Sequence, residues 1–202
     1  MVRRSTNHNS DKVGAQVGRF LRPVDAAAHE AHGWPDNSLL FNVEFDFRYE
    51  AIQQQHRESL QRLGCGRVDA LVIHDMEQSS ETVPGANPRG LTIEQHYEEL
   101  AGGGFKALQD LRASGAISAF GAGVNADEGV DLSLKGTPFG ATTMREFNQQ
   151  YCRRLADLST EDPINFFLMA NIYSLLDFTA HTDGLLDLCA ERGIGVVRPC
   201  IP

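Results

Sequence analysis

Long hydrophobic runs and basic residues are both scarce in this sequence. No stretch stays apolar over the roughly 20 residues that a membrane helix needs, and the opening MVRRSTNHNSDK lacks the apolar core of a secretory signal. The 18 Lys and Arg residues face 27 Asp and Glu residues, and the resulting net charge of -9 repels a phosphate backbone. These absences predict a soluble, cytoplasmic protein that binds neither membranes nor nucleic acid.

Cysteines are few and scattered. They form no C-x-x-C pair and no spacing typical of a zinc site or a disulfide framework, which favours a reducing compartment; the four are Cys65, Cys152, Cys189 and Cys200. His29 and His32 have a spacing that could bind a metal on a helix, but no cysteine or further histidine lies near them. No metal site is therefore predicted.

Two signatures of nucleotide-binding folds are missing. No G-x-G-x-x-G motif follows a strand, and the sequence contains no Walker loop. The run Gly121-Ala122-Gly123 lies inside a predicted strand, and Gly102-Gly103-Gly104 precedes a helix without following a strand. The second run is interpreted as a flexible start of that helix. An open, doubly wound sheet is therefore disfavoured.

Short apolar runs alternate with amphipathic segments along the chain. Strands are predicted over 13–21, 68–74, 117–124, 165–172 and 194–198, and helices over 46–63, 105–113, 143–158 and 185–191. Asp46 is the candidate N-cap of the first helix, and Gly64 and Gly115 are expected to end helices. Because parallel strands need a crossover and amphipathic helices supply it, the pattern predicts an α/β fold.

The predicted connections are long after strands and short after helices. The long ones span 22–45, 75–91 and 125–141. In a (β/α) barrel the loops that follow the strands build the active-site face, so functional loops lengthen on one side only. The asymmetry favours a barrel whose functional site lies at the carboxyl ends of its strands.

Two polar residues end predicted strands that follow each other in the chain. His74 closes the run RVDALVIHDME, at a position from which a barrel directs side chains into its mouth. Asn125 closes the run GAGVN, and an amide that both donates and accepts suits recognition of a carboxamide. The alternatives are a histidine that caps its strand and an asparagine that begins a turn. The acidic stretch 77–81 is interpreted as a solvated loop.

Several longer segments resemble one enzyme family in order and spacing. They are VGRFLRP, FDFRYEAIQQQHRESLQRLGCGRVDALVIHD, GGFKALQDLRASGAISAFGAGVN, FFLMANIYSLLD and LCAERGIGVV. Together they resemble the aldo-keto reductases, in particular the aldose and pyridoxal 4-dehydrogenase branch, from Val17 to Val197. Several matches in order are more specific than any single motif.

The resemblance implies a fold and an activity. The family fold is an eight-stranded (β/α) barrel that binds NADP or NAD. In the family a tyrosine, assisted by a lysine, an aspartate and a histidine, serves as general acid or base. By position, His74 matches the histidine that orients the substrate carbonyl, and Asn125, with Val124 beside it, matches the segment that holds the nicotinamide. The implied substrate is a small sugar-like or aromatic aldehyde or alcohol, and an intact relative is expected to be a monomer.

Other positions depart from the family pattern. An unbroken alignment through VGRFLRP puts Gln16 at the place of the lysine, whereas Lys12 fits only with an insertion of four residues. A cation about 4 Å from a phenol stabilises the ionised phenol by roughly 4 kcal/mol at an effective dielectric near 20, which lowers the pKa of the phenol by about three units. Glutamine cannot supply that. Ala170 takes the place of a common glutamine, while Tyr173 and Cys200 are not assigned to the site.

By resemblance the chain covers about strands 3 to 7 of a barrel, truncated at both ends. It is interpreted as a single incomplete barrel domain over 1–202, with 1–12 disordered, and an open barrel is expected to be unstable because its edge strands carry unpaired backbone groups. An incomplete gene product and a truncated protein that pairs with another chain are both compatible with this. The alternative function is a catalytically inactive interaction subunit, since the family tyrosine is not found.

Overall fold

The fold is built on a parallel sheet crossed by helices. A computed structural model describes residues 14–23, 41–79, 87–125, 132–133, 136–170 and 183–198. Its strands are β1 (Gly14–Val17), β2 (Arg19–Pro23), β3 (Phe41–Phe45), β4 (Ala70–Ile73), β5 (Ala119–Asn125), β6 (Phe166–Ala170) and β7 (Gly195–Val197). Its helices are α1 (Tyr49–Leu63), α2 (Ile93–Glu99), α3 (Phe105–Ala113), α4 (Met144–Asp157) and α5 (Leu185–Arg192). Disorder over 1–12 stays a prediction, because those residues lie outside the described ranges.

Five strands form one sheet in the order β1-β4-β5-β6-β7, and every neighbouring pair is parallel. Each parallel step requires a crossover, and the helices α1 to α5 supply these crossovers along the chain. The α/β class is therefore confirmed, and the architecture is that of part of a (β/α) barrel. No helix in the described ranges combines the length and apolarity that crossing a membrane requires.

The two faces of the sheet differ in composition. Along β4 and β5 the side chains alternate, and those of Leu71, Ile73, Phe120, Ala122 and Val124 are buried in the core between sheet and helices. The opposite face carries His74, directly after β4, and Asn125, at the end of β5. Both candidate residues therefore lie on the face away from the helices, at the carboxyl edge of the sheet.

The first predicted strand proves to be two strands. At Gly18 the backbone has φ +96°, which divides β1 from β2. A Cβ atom there would overlap the ring of Phe47, so only glycine permits this bend beside the core. Strand β2 leaves the parallel sheet and pairs antiparallel with β3, from Arg19 opposite Phe45 to Pro23 opposite Phe41. The predicted connection 22–45 thus contains a hairpin strand that was not predicted, although its apolar and polar residues alternate.

Helix α1 starts three residues later than predicted. Its N-cap is Arg48, which makes no side-chain cap bond, so the assignment of Asp46 as the cap was wrong. The carboxylate of Asp46 instead accepts hydrogen bonds from Arg48. The backbone N–H of Arg48 donates at 3.1 Å and its guanidinium donates at 2.6 Å. Burial alone would raise the pKa of Asp46, but the hydrogen bonds from Arg48 and the charges of Arg48 and Arg89 together lower it. The predicted end is confirmed, because Gly64 closes the helix in the left-handed conformation.

The interpretation of the glycine run as a flexible helix start was wrong. Leu100–Gly104 form a π-helical turn that joins α2 to α3 without a break. A Cβ atom on Gly104 would overlap the carbonyl oxygen of Phe47, and one on Gly103 would lie 3.4 Å from Cβ of Tyr49. The glycines therefore let the helix approach the backbone that leads into α1. Helix α2 itself, capped by Thr92 with Gln95, was not predicted.

The remaining helices follow the predicted pattern closely. Helix α3 has the predicted bounds, and α4 begins after Thr143, which forms a reciprocal capping box with Glu146. Met144, Phe147, Tyr151 and Leu155 of α4 are all buried, as their spacing indicates. Helix α5 ends at Gly193 in the left-handed conformation. The parallel strands are each shorter than predicted: β4, β6 and β7 lie near the middle of their predicted runs, β1 fills only the first half of its run, and β5 extends one residue past its predicted end.

Candidate active site

His74 stands directly after β4 at the carboxyl edge of the sheet. Its backbone N–H donates to the carbonyl of Val17 at 3.1 Å, which continues the pairing of β4 with β1 beyond the last strand residue. The side chain is 20% exposed, so it reaches solvent while its position is held by the sheet. A group that contacts a substrate needs a backbone held rigidly and a side chain that the substrate can reach, and His74 has both.

Asp75 links the histidine to the asparagine on the next strand. Its Oδ1 lies 2.6 Å from Nδ1 of His74, a close contact that does not meet the geometry of a hydrogen bond. The same oxygen accepts a hydrogen bond of 3.2 Å from Nδ2 of Asn125. Asp75 has φ 55°, a left-handed conformation that is uncommon outside glycine and that often marks functional segments. His74 and Asn125 therefore meet around one carboxylate oxygen.

Glu77 is buried, so the interpretation of 77–81 as a solvated loop was wrong at this position. It lies in the 3₁₀ turn Met76–Gln78 and is 2% exposed. Its Oε1 accepts a hydrogen bond of 2.7 Å from Nδ2 of Asn125. Burial raises the pKa of Glu77, and the nearby Asp75 carboxylate adds to the rise, while the bond from Asn125 and the proximity of His74 oppose it.

Helix α4 contributes two further polar groups. Asn148 donates from Nδ2 to the main-chain oxygen of Asn125 at 2.8 Å, and its own Oδ1 is buried without a hydrogen-bond partner. The hydroxyl of Tyr151 is also buried without a partner, and burial raises the pKa of Tyr151 well above its ordinary value. Asn125 is thus held by β5, by the loop after β4 and by α4.

The two glycines of β5 make room for large side chains on the site face. A Cβ atom on Gly121 would overlap the ring of Phe166 on β6. One on Gly123 would lie 3.2 Å from Cδ2 of His74, tighter than most real contacts of that kind. The run GAGVN therefore encodes close packing of side chains across the sheet rather than a phosphate-binding loop.

The other predicted site residues are placed differently. The side chain of Val124 is 1% exposed in the helix-side core, opposite Met169, so it lies on the other face of the sheet from Asn125. Ala170 lies in register with Asn125 on β6, where its methyl group offers no polar contact. Gln16 is exposed on β1, in register with Val72, on the same face as His74.

Several residues singled out from the sequence lie outside the described ranges. They are Lys12, His29, His32, Tyr173 and Cys200. The proposed lysine position is therefore represented in the described part of the chain only by Gln16. Within the described residues no group of three potential ligands is arranged to hold a metal ion.

Comparison with known proteins identifies the family. A sequence model of the "Aldo/keto reductase family" matches residues 40–201, most of the chain. The chain belongs to the aldo/keto reductase family. It is 31% identical over 194 residues to a pyridoxal 4-dehydrogenase of Microbacterium luteolum, covering 93% of this chain and 46% of that protein. The resemblance noted from the sequence is thereby confirmed.

A second curated relative and one solved structure extend the comparison. The chain is 26% identical over 196 residues to a D-threo-aldose 1-dehydrogenase of a Pseudomonas species, covering 94% of this chain and 46% of that protein. A glycerol dehydrogenase structure from Gluconobacter oxydans superposes with a TM-score of 0.49 at 18% identity, covering 95% of this chain and 41% of that one. This aldo/keto reductase chain spans about half the length of the curated relatives it matches.

Two residues of the site in this aldo/keto reductase chain were not predicted. Asn148 had a signal, since it follows Met144 by four positions and so places an amide on the apolar stripe of α4. Glu77 had none, because an acidic residue in a strand-to-helix connection is ordinarily solvated. Its burial depends on the turn that brings residues 75 and 77 back over the end of β5.

Proposed function

We propose that this chain carries the core of an oxidoreductase that transfers hydride between a nicotinamide cofactor, NADP or NAD, and a small carbonyl or alcohol substrate. The proposal is supported by membership of the aldo/keto reductase family and by two curated relatives that are dehydrogenases. The observation that carries it is the meeting of His74 and Asn125 around Oδ1 of Asp75, at the carboxyl edge of neighbouring parallel strands.

The residues around Asn125 fit a nicotinamide carboxamide. The side-chain NH₂ group of Asn125 donates hydrogen bonds to Asp75 and Glu77. Within the described ranges, its Oδ1 accepts no hydrogen bond. A carboxamide brings N–H donors to such an acceptor. Ala170, in register with Asn125 on β6, places a methyl group rather than a polar side chain next to it. The cofactor would supply the hydride, and the chain would supply orientation.

His74 would act on the reacting oxygen of the substrate. Reduction of a carbonyl adds hydride at carbon and a proton at oxygen, so a donor that contacts the oxygen stabilises the charge that develops there. The ring is fixed by the strand end and by Gly123, which keeps it in one place relative to Asn125. Sugar-like and aromatic aldehydes or alcohols are the proposed substrate class, by analogy with the relatives.

Titration of reduced NADP and NAD with the chain, followed by nicotinamide fluorescence, tests the proposal. Replacing Asn125 with alanine is expected to raise the Kd about tenfold, because one hydrogen bond in a partly buried site is lost. Replacing His74 with glutamine is expected to lower kcat/KM for pyridoxal-type or aldose-type alcohols about a hundredfold while leaving the Kd unchanged. Gln61→Ala, on the exposed side of α1, is the control. Unaltered fluorescence with both cofactors would contradict the proposal.

The second candidate is a non-catalytic relative that retains part of the nucleotide site. It is favoured by Gln16, which occupies the register position that the family resemblance assigns to a lysine and is exposed on the site face. A neutral amide cannot lower the pKa of a catalytic phenol as a cation does. Cofactor binding without turnover of any carbonyl or alcohol would favour this candidate, whereas turnover that depends on His74 would exclude it.

A further inference from the structure

The side-chain amide of Asn125 donates hydrogen bonds to two acidic side chains from the loop after β4. Glu77 Oε1 lies 2.7 Å and Asp75 Oδ1 lies 3.2 Å from the same nitrogen, Nδ2. Asn148 holds the main-chain oxygen of Asn125 from α4 at 2.8 Å. Both the backbone and the side chain of Asn125 are therefore fixed from outside its own strand.

The two ends of an asparagine amide differ in what they can bind. The nitrogen only donates and the oxygen only accepts, while an ionised carboxylate only accepts. Two carboxylate oxygens on one side of the amide therefore require the nitrogen there, because an amide oxygen in the same place would be repelled. The oxygen of Asn125 must then point the other way.

We propose that Glu77 is a positioning residue that orients the Asn125 amide, so that its oxygen is presented to the N–H groups of a nicotinamide carboxamide. This inference rests on the proposed function, and it goes further in stating which end of the amide meets the cofactor and which residue decides it. Glu77 does this because its bond to Nδ2 is the shorter of the two and because it is almost completely buried. In a buried site a charged acceptor forms one of the stronger hydrogen bonds.

Ionisation of Glu77 controls this orientation. A protonated carboxyl can donate as well as accept, so it no longer forces the nitrogen of Asn125 toward itself. The pKa of Glu77 is raised above its ordinary value of 4.5, chiefly by burial. The charged and titratable groups around it are His74 and Asp75 from the end of β4 and Tyr151 from α4. The binding orientation is therefore complete above the raised pKa and is lost as the pH falls through it.

The first test observes the amide without any cofactor. In two-dimensional ¹⁵N–¹H spectra, the side-chain NH₂ pair of Asn125 is assigned by its disappearance in Asn125→Asp. Titration from pH 8 to pH 4 is expected to shift that pair with a midpoint above 4.5. The shift with that midpoint should vanish in Glu77→Gln. The NH₂ pair of Asn87, which donates to the carbonyl of Leu91 at 2.7 Å, is the internal reference.

The second test measures binding. Glu77→Gln is expected to raise the Kd for the reduced nicotinamide cofactor about fivefold at pH 7.5, because a glutamine can face Asn125 with either end of its amide. The affinity of the wild-type chain should fall as the pH drops below the raised pKa, and that of the variant should not. Glu94→Gln, which removes one charge but keeps the acceptor for the N–H of Phe139, is the matched control.

Stability measurements separate this positioning role from a merely structural one. Because a raised carboxyl pKa means that ionisation opposes folding at neutral pH, Glu77→Gln is expected to raise the urea midpoint of unfolding while it weakens cofactor binding. A merely structural role predicts the opposite, a lower urea midpoint. If the side-chain NH₂ signals of Asn125 do not shift with pH and Glu77→Gln binds the cofactor as tightly as the wild-type chain, the inference is overturned and the proposed function still stands. Absence of cofactor binding by the wild-type chain would instead overturn the proposed function, and the amide titration would still decide what Glu77 does to Asn125.

Discussion

The imidazole of His74 lies beside the space that a side chain at Gly123, on the neighbouring strand, would enter. A Cβ atom at position 123 would lie 3.2 Å from Cδ2 and 3.5 Å from Nε2 of the ring. Contacts that tight oblige the neighbour to give way by a few tenths of an ångström, because protein interiors are close-packed. The identity of residue 123 therefore helps to decide where the imidazole sits.

Replacing Gly123 with alanine is expected to displace the ring of His74 and to lower kcat/KM about tenfold, since the role proposed for His74 depends on its exact position. Thermal unfolding should change little, because only a methyl group is added on the site face. Steady-state kinetics with the substrate identified for the wild-type chain measure the effect. Gly66→Ala, where the new Cβ meets no atom within 4 Å, is the control. Wild-type kinetics in Gly123→Ala would show that the ring adapts without loss.

Two glycines in the π-helical turn should respond oppositely to the same substitution. Gly104→Ala is expected to lower the free energy of unfolding by about 3 kcal/mol, because the new methyl overlaps the carbonyl oxygen of Phe47. Gly102→Ala meets no atom within 4 Å and should raise it by about 0.5 to 1 kcal/mol, through the helix preference of alanine. Urea unfolding of the two variants measures both effects. Equal stabilities would contradict the close approach of α3 to the segment before α1.

Two buried histidines should make the fold sensitive to mild acid. Burial lowers the pKa of both His56 and His96 below the ordinary value of 6.5. The unfolded chain therefore takes up these protons first, so their contribution to stability is complete above about pH 6.5 and is lost as the pH falls toward the lower folded values. Around His96 the charged groups are Glu99, Arg89 and Asp46.

Urea unfolding between pH 8 and pH 5 measures this dependence. The loss of stability below pH 6.5 should be smaller in His96→Gln than in the wild-type chain, because one of the two buried imidazoles is gone. The difference between the two curves isolates His96 from the carboxylates, which are common to both. Parallel curves would mean that His96 does not titrate in this range.

The two tyrosine hydroxyls at positions 151 and 49 are expected to have opposite effects on stability. The hydroxyl of Tyr151 is buried without a hydrogen-bond partner, so Tyr151→Phe should raise the free energy of unfolding by about 1 kcal/mol. The hydroxyl of Tyr49 donates to Oδ2 of Asp110 at 3.0 Å, so Tyr49→Phe should lower it by about 0.5 kcal/mol. Thermal unfolding of both variants checks the signs. A destabilised Tyr151→Phe would indicate that the hydroxyl finds a partner.

The class of fold could be predicted because its signals are local. Apolar runs and amphipathic stripes gave the helix α3 at its observed bounds and the helix α4 within one residue at each end. Gly64 and Gly193 end α1 and α5, as glycine does where the chain must turn left-handed. The strand β3 was missed although the residues of FNVEF alternate between apolar and polar, because five alternating residues within a long connection are a weak signal.

The candidate site could be predicted only in part, for a related reason. The positions of His74 and Asn125 follow from the ends of their strands, and both side chains indeed lie at one edge of the sheet. The burial of Glu77 and the inward face of Val124 depend on tertiary packing, which no local pattern encodes. Their proposed roles stay predictions until the variants above are measured.

Gln55 joins the hairpin to the parallel sheet. Its Oε1 accepts from the N–H of Gly18 at 2.5 Å, and its Nε2 donates to the carbonyl of Asp46 at 2.8 Å. The backbone of Asp46 also donates to the carbonyl of Gly18 at 3.0 Å, so the two ends of the excursion are tied together at one point. This junction makes β2 and β3 depend on one side chain of α1 for their attachment to the parallel sheet. Loss of the two hydrogen bonds of Gln55 should therefore loosen both strands together.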